Sequence, residues 1–191
     1  MEWPSQSTLT SIVLLVVVVA MVVLRRRRAE SKATTAASAS RPNLVRSPPP
    51  RPNIPLQRQS LASIGTVELP TGPGWEQRGN RLYNEELGMV IIIQNQEEGM
   101  AGYEKVYLDS YNDVNIRDAP AWERGPEVLG QVAGVTAART TGRFNNGTAM
   151  ATRDYIFFAE NNTVIFQSRV PATHADRLDL LDYLASTFRK G

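Results

Sequence analysis

A chain of 191 residues with 42% hydrophobic residues has material for one ordinary globular domain beside any targeting segment. Its complete lack of Cys excludes disulfides, thiolate nucleophiles, thiolate metal sites and lipid attachment through a Cys. The net charge of +2 hides an uneven distribution: residues 1–64 carry nine Lys and Arg against two Glu, net +7, while residues 65–191 carry 12 basic against 17 acidic side chains, net −5. Clustered phosphate contacts, and with them nucleic-acid binding, are therefore not expected of the C-terminal part.

Residues 1–28 read as a single transmembrane anchor. The run LTSIVLLVVVVAMVVL at 9–24, with Leu9, Ile12, Leu15, Val19 and Leu24 spaced along it, is apolar on every face. Arg25, Arg26, Arg27 and Arg28 close it. A cleaved signal would carry its positive charge ahead of the apolar run, whereas only Glu2 is charged there; the competing secretory reading would cut near Ala37-Ser38-Ala39. Arg at the membrane edge favours the cytoplasmic side and reaches anionic lipid headgroups, which predicts an external N-terminus and a cytoplasmic C-terminal domain.

Residues 29–64 read as an extended, basic linker rich in Pro, Ala and Ser, with a polyproline-like core from Arg46 to Leu56. Two readings stand side by side. The segment is a solvated spacer, or it is a strap that orders on a partner through Leu44, Val45, Ile54, Leu56, Leu61 and Ile64. Its P-x-x-P spacing also matches ligands of aromatic-lined grooves.

Residues 65–191 form the folded domain. Strands are predicted at 66–69 and 75–77 around the turn-forming Pro70-Thr71-Gly72-Pro73-Gly74, and at 89–93, whose unbroken β-branched run implies that both faces are covered. Asn95-Gln96-Glu97-Glu98 has capping-box spacing, and Tyr103, Val106, Tyr107, Tyr111 and Val114 recur at helical intervals; the tyrosines read as packing residues. A strand meander begins at Val128: 132–144 runs to the hairpin turn Asn145-Asn146-Gly147, 149–159 returns, and 163–170 comes back after Asn161-Asn162. Pro171 stops the sheet, and a helix capped by Thr173 and Asp176 buries Leu178, Leu181, Leu184, Ala185 and Phe188 and ends on Arg189 and Lys190.

Helices against an antiparallel sheet make an α+β sandwich. Leu69-Pro70 with Trp75, the run Val132-Ala133-Gly134-Val135-Thr136-Ala137, Asp154-Tyr155-Ile156-Phe157-Phe158 with its Asn-Asn turn, and the terminal Leu184-Ala185-Ser186-Thr187-Phe188-Arg189 resemble the PsbP/Mog-type fold. That group contains the PsbP extrinsic protein of photosystems, the Ran-binding Mog protein and bacterial membrane-attached relatives. The resemblance implies a non-enzymatic domain that binds, stabilises or helps assemble a larger complex. Many such relatives lie outside the cytoplasm, against the side that the Arg cluster indicates.

No reactive constellation stands out. His174 is the only histidine and cannot by itself build a zinc site. Glu85-Glu86 and Glu97-Glu98 are sequence neighbours whose side chains diverge, and Gly72-Pro73-Gly74 lacks the Lys and Ser/Thr of a phosphate loop. The sequons at Asn146 and Asn161 coincide with turns. No catalytic residue, cofactor or metal is therefore predicted. The leading expectation is an accessory subunit of an integral-membrane complex, photosynthetic or otherwise bioenergetic, docking through Trp75, Trp122, Arg124, Leu44, Ile54 and Leu56. A membrane-tethered sensor or carrier of a small molecule is the alternative; a carboxylate-based hydrolase is the third class.

Overall fold

The computed structural model describes residues 41–191. The predicted anchor residues, Leu9, Ile12, Leu15, Val19, Leu24 and Arg25 to Arg28, lie outside them. Among the described residues, no helix is long and apolar enough to cross a membrane.

The elements run β1 (Leu56–Leu61), β2 (Gly65–Pro70), β3 (Glu76–Arg78), β4 (Arg81–Asn84), β5 (Met89–Gln96), α1 (Glu104–Asp118), β6 (Glu123–Val132), β7 (Val135–Asn145), β8 (Ala149–Phe158) and β9 (Thr163–Pro171). A 3-10 helix (Ala172–Leu178) leads directly into α2 (Asp179–Ser186), and β10 (Arg189–Lys190) ends the chain. Seven strands form one antiparallel sheet in the order β3-β4-β5-β9-β8-β7-β6, and β1-β2-β10 form a second.

Period-two alternation sorts the large sheet into two faces. On one, Ile91, Phe157 and Phe166 pack with Leu181 and Leu184 of α2, with Phe188 just beyond it, and with Leu61, Val67 and Leu69 of the small sheet. On the other, Ala138, Ile156, Phe158 and Ile165 pack beneath Leu108 of α1, with Tyr107 and Tyr111 against them. β5 is covered on both sides, as its β-branched run requires: Ile91 and Ile92 are both buried.

Several boundaries differ from expectation, each for a local reason. The segment read as linker contributes β1, paired with β2 from Leu56 against Pro70 to Leu61 against Gly65. Gln57, Arg58, Gln59 and Ser60 disguise it, because an edge strand buries few of its side chains. Leu61 and Ile64, proposed as anchors for a separate partner, are buried in this domain's own core. The expected strand 132–144 is β7, which starts only at Val135 because Ala133 and Gly134 both adopt positive φ (48° and 79°) and turn the chain out of β6, a further strand that reaches back to Glu123. Asn95 and Gln96 continue β5 and do not cap a helix; α1 starts at Glu104, and its N-cap Tyr103 makes no side-chain capping bond. The last helix likewise has no side-chain cap, and Arg189 and Lys190 leave it to pair with β2.

Candidate functional site

The six predicted docking residues do not converge. Four are spent on the domain itself. Leu44 donates its backbone N–H to Gln131 O (2.9 Å), while Gln131 N–H donates to Pro42 O (2.9 Å), so this stretch adds a short parallel bridge to the β6 edge. Ile54 is partly buried and borders, with Pro49, Pro50 and Pro52, an apolar cleft whose other wall is Leu180 and Tyr183 of α2. Leu56 and Trp75 are partly buried against the main core. The segment thus behaves as a strap whose partner is its own domain.

Trp122 and Arg124 do sit together, at the start of β6, but Trp122 is not an exposed aromatic. Its ring lies over Gly142 of β7, so close that a Cβ there would be 2.1 Å from the indole. Glycine is what admits the ring, and Trp122 is correspondingly a packing residue. Arg124 is exposed and bonded to Glu127 (2.7 Å).

Beneath α1 lies a polar cluster. Asp154 of β8 is completely buried, and its Oδ2 accepts hydrogen bonds from Tyr111 (2.9 Å) and Thr140 (3.1 Å). Gln167 donates to the Tyr111 hydroxyl (3.0 Å) and accepts from Arg169 Nε (2.7 Å). Burial, which penalises a charge, pushes the Asp154 carboxyl up to about 6 against the opposing hydrogen bonds. Burial and the adjacent carboxylate also push the Tyr111 hydroxyl up.

This helix is inverted in an informative way. Its buried positions include Glu104 and Asn112 beside Leu108, whereas Val106, Val114 and Ile116 face solvent, Ile116 being 63% exposed. Burial works to raise the Glu104 carboxyl, but the Gly102 N–H (3.0 Å) and Arg41 (3.3 Å) outweigh it and hold it below the usual range.

On the opposite face, Asp182 of α2 gathers Arg139 (3.0 Å), Arg153 (2.7 Å) and the Tyr155 hydroxyl (2.8 Å), and Arg153 also reaches Asp179 (2.8 Å). These bonds tie α2 to the sheet. Next to them, a cleft of about 370 Å³ opens between the 3-10 helix and the irregular start of β6. Arg124, Arg143 and Arg153 line it; the small side chains of Ala151 and Ala175 keep it open, and Leu178 forms an apolar wall. The β6 wall is held by a register shift between Arg124 and Glu127, with Thr141 Oγ1 donating to Pro126 O (3.4 Å).

Sequence reasoning missed this cleft, although a signal was present. The Asn-Asn-Gly turn sets Asn145 against Ala149, and therefore Arg143 against Ala151 and Thr141 against Arg153. Strand alternation then puts Arg143 and Arg153 on one face. The acidic pairs Glu85-Glu86 and Glu97-Glu98 and the lone His174 are exposed, and among the described residues no group of three or more His, Asp or Glu is placed to hold a metal.

No family model matches the chain, and no curated protein does. Solved structures do. CyanoP, the cyanobacterial PsbP of Synechocystis, aligns at 14% identity and a TM-score of 0.53, covering 76% of this chain and 98% of CyanoP. The Ran-binding protein Mog1p of Saccharomyces cerevisiae aligns at 14% identity and a TM-score of 0.46, over 71% of this chain and 95% of its own. LpqN of Mycobacterium tuberculosis, described as involved in cell-envelope biogenesis, aligns at 12% identity and 0.43, over 71% and 89%. The globular domain therefore has the Mog1p/PsbP-like α+β fold.

Proposed function

We propose that this chain is a non-enzymatic accessory subunit of an integral-membrane complex, photosynthetic or otherwise bioenergetic, held by the N-terminal anchor and docked through its globular domain. The observation that carries the reading is the outer face of α1. α1 turns Glu104 and Asn112 inward and leaves Val106 and Val114 exposed along its outer side and Ile116 exposed near its C-terminal end, apolar side chains that a partner can cover. The fold of CyanoP supports it, as does the predicted anchor sequence.

The test is to tag the chain at Gly191, solubilise native membranes gently and size the tagged species, with mass spectrometry of the proteins that co-purify. Co-migration with one large complex at fixed stoichiometry, lost in Ile116→Glu while the domain stays folded, supports docking by α1. Migration as a small free species refutes it. The proposed orientation has a direct check, because the chain contains no Cys. A single Thr173→Cys in intact cells should resist a membrane-impermeant maleimide if the domain is cytoplasmic, and labelling would reverse the orientation.

The cleft beside the 3-10 helix favours a second reading, a membrane-tethered domain that senses or carries a small molecule.

A further inference from the structure

The guanidinium groups of the cleft are not equally occupied. Arg124 is engaged by Glu127, and Arg153 gives Nη1 to Asp179 and Asp182. Arg153 Nε, however, is buried without a hydrogen-bond partner among the described residues. Arg143 is exposed and has no ion-pair partner among the described residues, even though the strand register sets Glu123 opposite it. A buried donor without a partner is costly, and a native site usually meets it with a bound group.

We infer that this cleft binds the phosphate group of a small organic phosphate, with Arg143 and Arg153 as its charged ligands and Arg124 at its rim. This deepens the small-molecule reading and owes nothing to docking by α1. Three considerations select phosphate. The groups without partners are donors, and guanidinium forks match phosphate oxygens. Carboxylates are already abundant nearby, at Glu123, Glu127, Asp179 and Asp182, yet none pairs with Arg143. A monoester presents three acceptor oxygens and nearly two negative charges, enough to engage both guanidinium groups at once. The size of the cleft, about 370 Å³, lies at the small end for ligand sites, and Leu178, Ala175 and Pro126 offer a short aliphatic body an apolar surface.

The same headgroup chemistry occurs on a soluble phosphate ester and on an anionic lipid. Residues 65–191 carry a net charge of −5, which opposes approach to an anionic bilayer and favours the soluble source.

The experiment is calorimetric titration of the full chain in neutral detergent with glycerol 3-phosphate and with inorganic phosphate, and flotation with vesicles of phosphatidylcholine with or without phosphatidic acid. The residues 1–28 anchor is retained throughout, so flotation is read only as the difference that phosphatidic acid makes. Saturable binding of glycerol 3-phosphate, weakened about tenfold or more by Arg143→Ala and unchanged by the remote Arg81→Ala, is the expected result. A phosphatidic acid-dependent gain abolished by Arg143→Ala would support the same site with a lipid source. Absence of saturable binding in both arms overturns the inference, as does binding indifferent to Arg143→Ala. Arg143 is exposed, so its loss leaves the core intact; Arg143→Gln serves as a second variant, and circular dichroism verifies folding. Complex co-purification is a separate readout, so docking and anion binding can each fail alone.

Discussion

Replacing Asp154 with Asn should remove a definable share of this domain's pH dependence. The side chain is fully buried, and its carboxyl is raised from an ordinary 3.8 to about 6 in the fold. Between those values the folded state keeps a proton that the unfolded chain has released. The contribution to stability is therefore complete below about pH 4, declines as pH rises through about 6, and is gone above it. The separation between 3.8 and about 6 corresponds to about 3 kcal/mol. Asn is neutral throughout, and its amide oxygen still accepts from Tyr111 and Thr140, so Asp154→Asn should lose this slope and gain on the native chain as pH rises. Glu104 works in the opposite direction: its carboxyl is held low, so its stabilisation is present above its unfolded pKa and lost as pH falls. It is common to both chains and cancels in the difference. The assay is urea unfolding of the full chain in neutral detergent, followed by tryptophan fluorescence from about pH 3.5 to 8. Parallel stability curves for the two chains would refute the assignment. Tyr111→Phe gives an independent check, since removing a donor to the carboxylate should raise the Asp154 pKa above about 6 and carry the decline on to higher pH.

Other consequences are as direct. Asp182→Asn leaves Arg139 without a carboxylate and Arg153 with only the exposed Asp179, and should cost about 3 kcal/mol, read as a shift in urea midpoint; a change under about 0.5 kcal/mol would show that solvent screens the cluster. Gly142→Ala drives a methyl into the Trp122 ring and should destabilise by about 1–3 kcal/mol, while the same change in a Trp122→Ala background should cost much less; additive effects would deny the contact. Leu44→Asp should detach the strap from β6, detected as faster hydrogen exchange at the Gln131 amide with exchange at Ile91 unchanged; retained protection at Gln131 would place the strap's hold elsewhere.

The strands and closing helix were legible where their side chains obey a period. Ile91 and Ile92 occupy a run covered on both faces, and Val164, Phe166 and Val170 lie in one core while Ile165 lies in the other. Leu178, Leu181, Leu184, Ala185 and Phe188 are buried as their spacing required. Failures came where period and environment disagree. β1 has too few buried positions to alternate visibly, and the Val-Ala-Gly-Val turn between β6 and β7 sits in an apolar run that resembles uninterrupted strand. α1 has almost no apolar side, because it covers a sheet face that is itself polar at Asp154, Thr140 and Gln167.

Docking residues were the least legible. An aromatic or a large aliphatic in a loop carries the same sequence signal whether it faces a partner or its own core. Trp122 is seated by Gly142, 20 residues later and on another strand. Leu44 and Ile54 are seated by β6 and α2.

By itself the sequence determined the segregation of charge, the lack of thiol chemistry, the apolar run ending in four arginines and the α+β class, because each is a property of composition or local period. Only the tertiary structure decided that residues 42–56 strap and pair with the domain, that Asp154 is sealed beneath α1, and that Arg124, Arg143 and Arg153 share a cleft. Those facts depend on strand register and on which element covers which face. Both are set by contacts between residues far apart in the chain, where local pattern carries no information about which distant partner a side chain will meet.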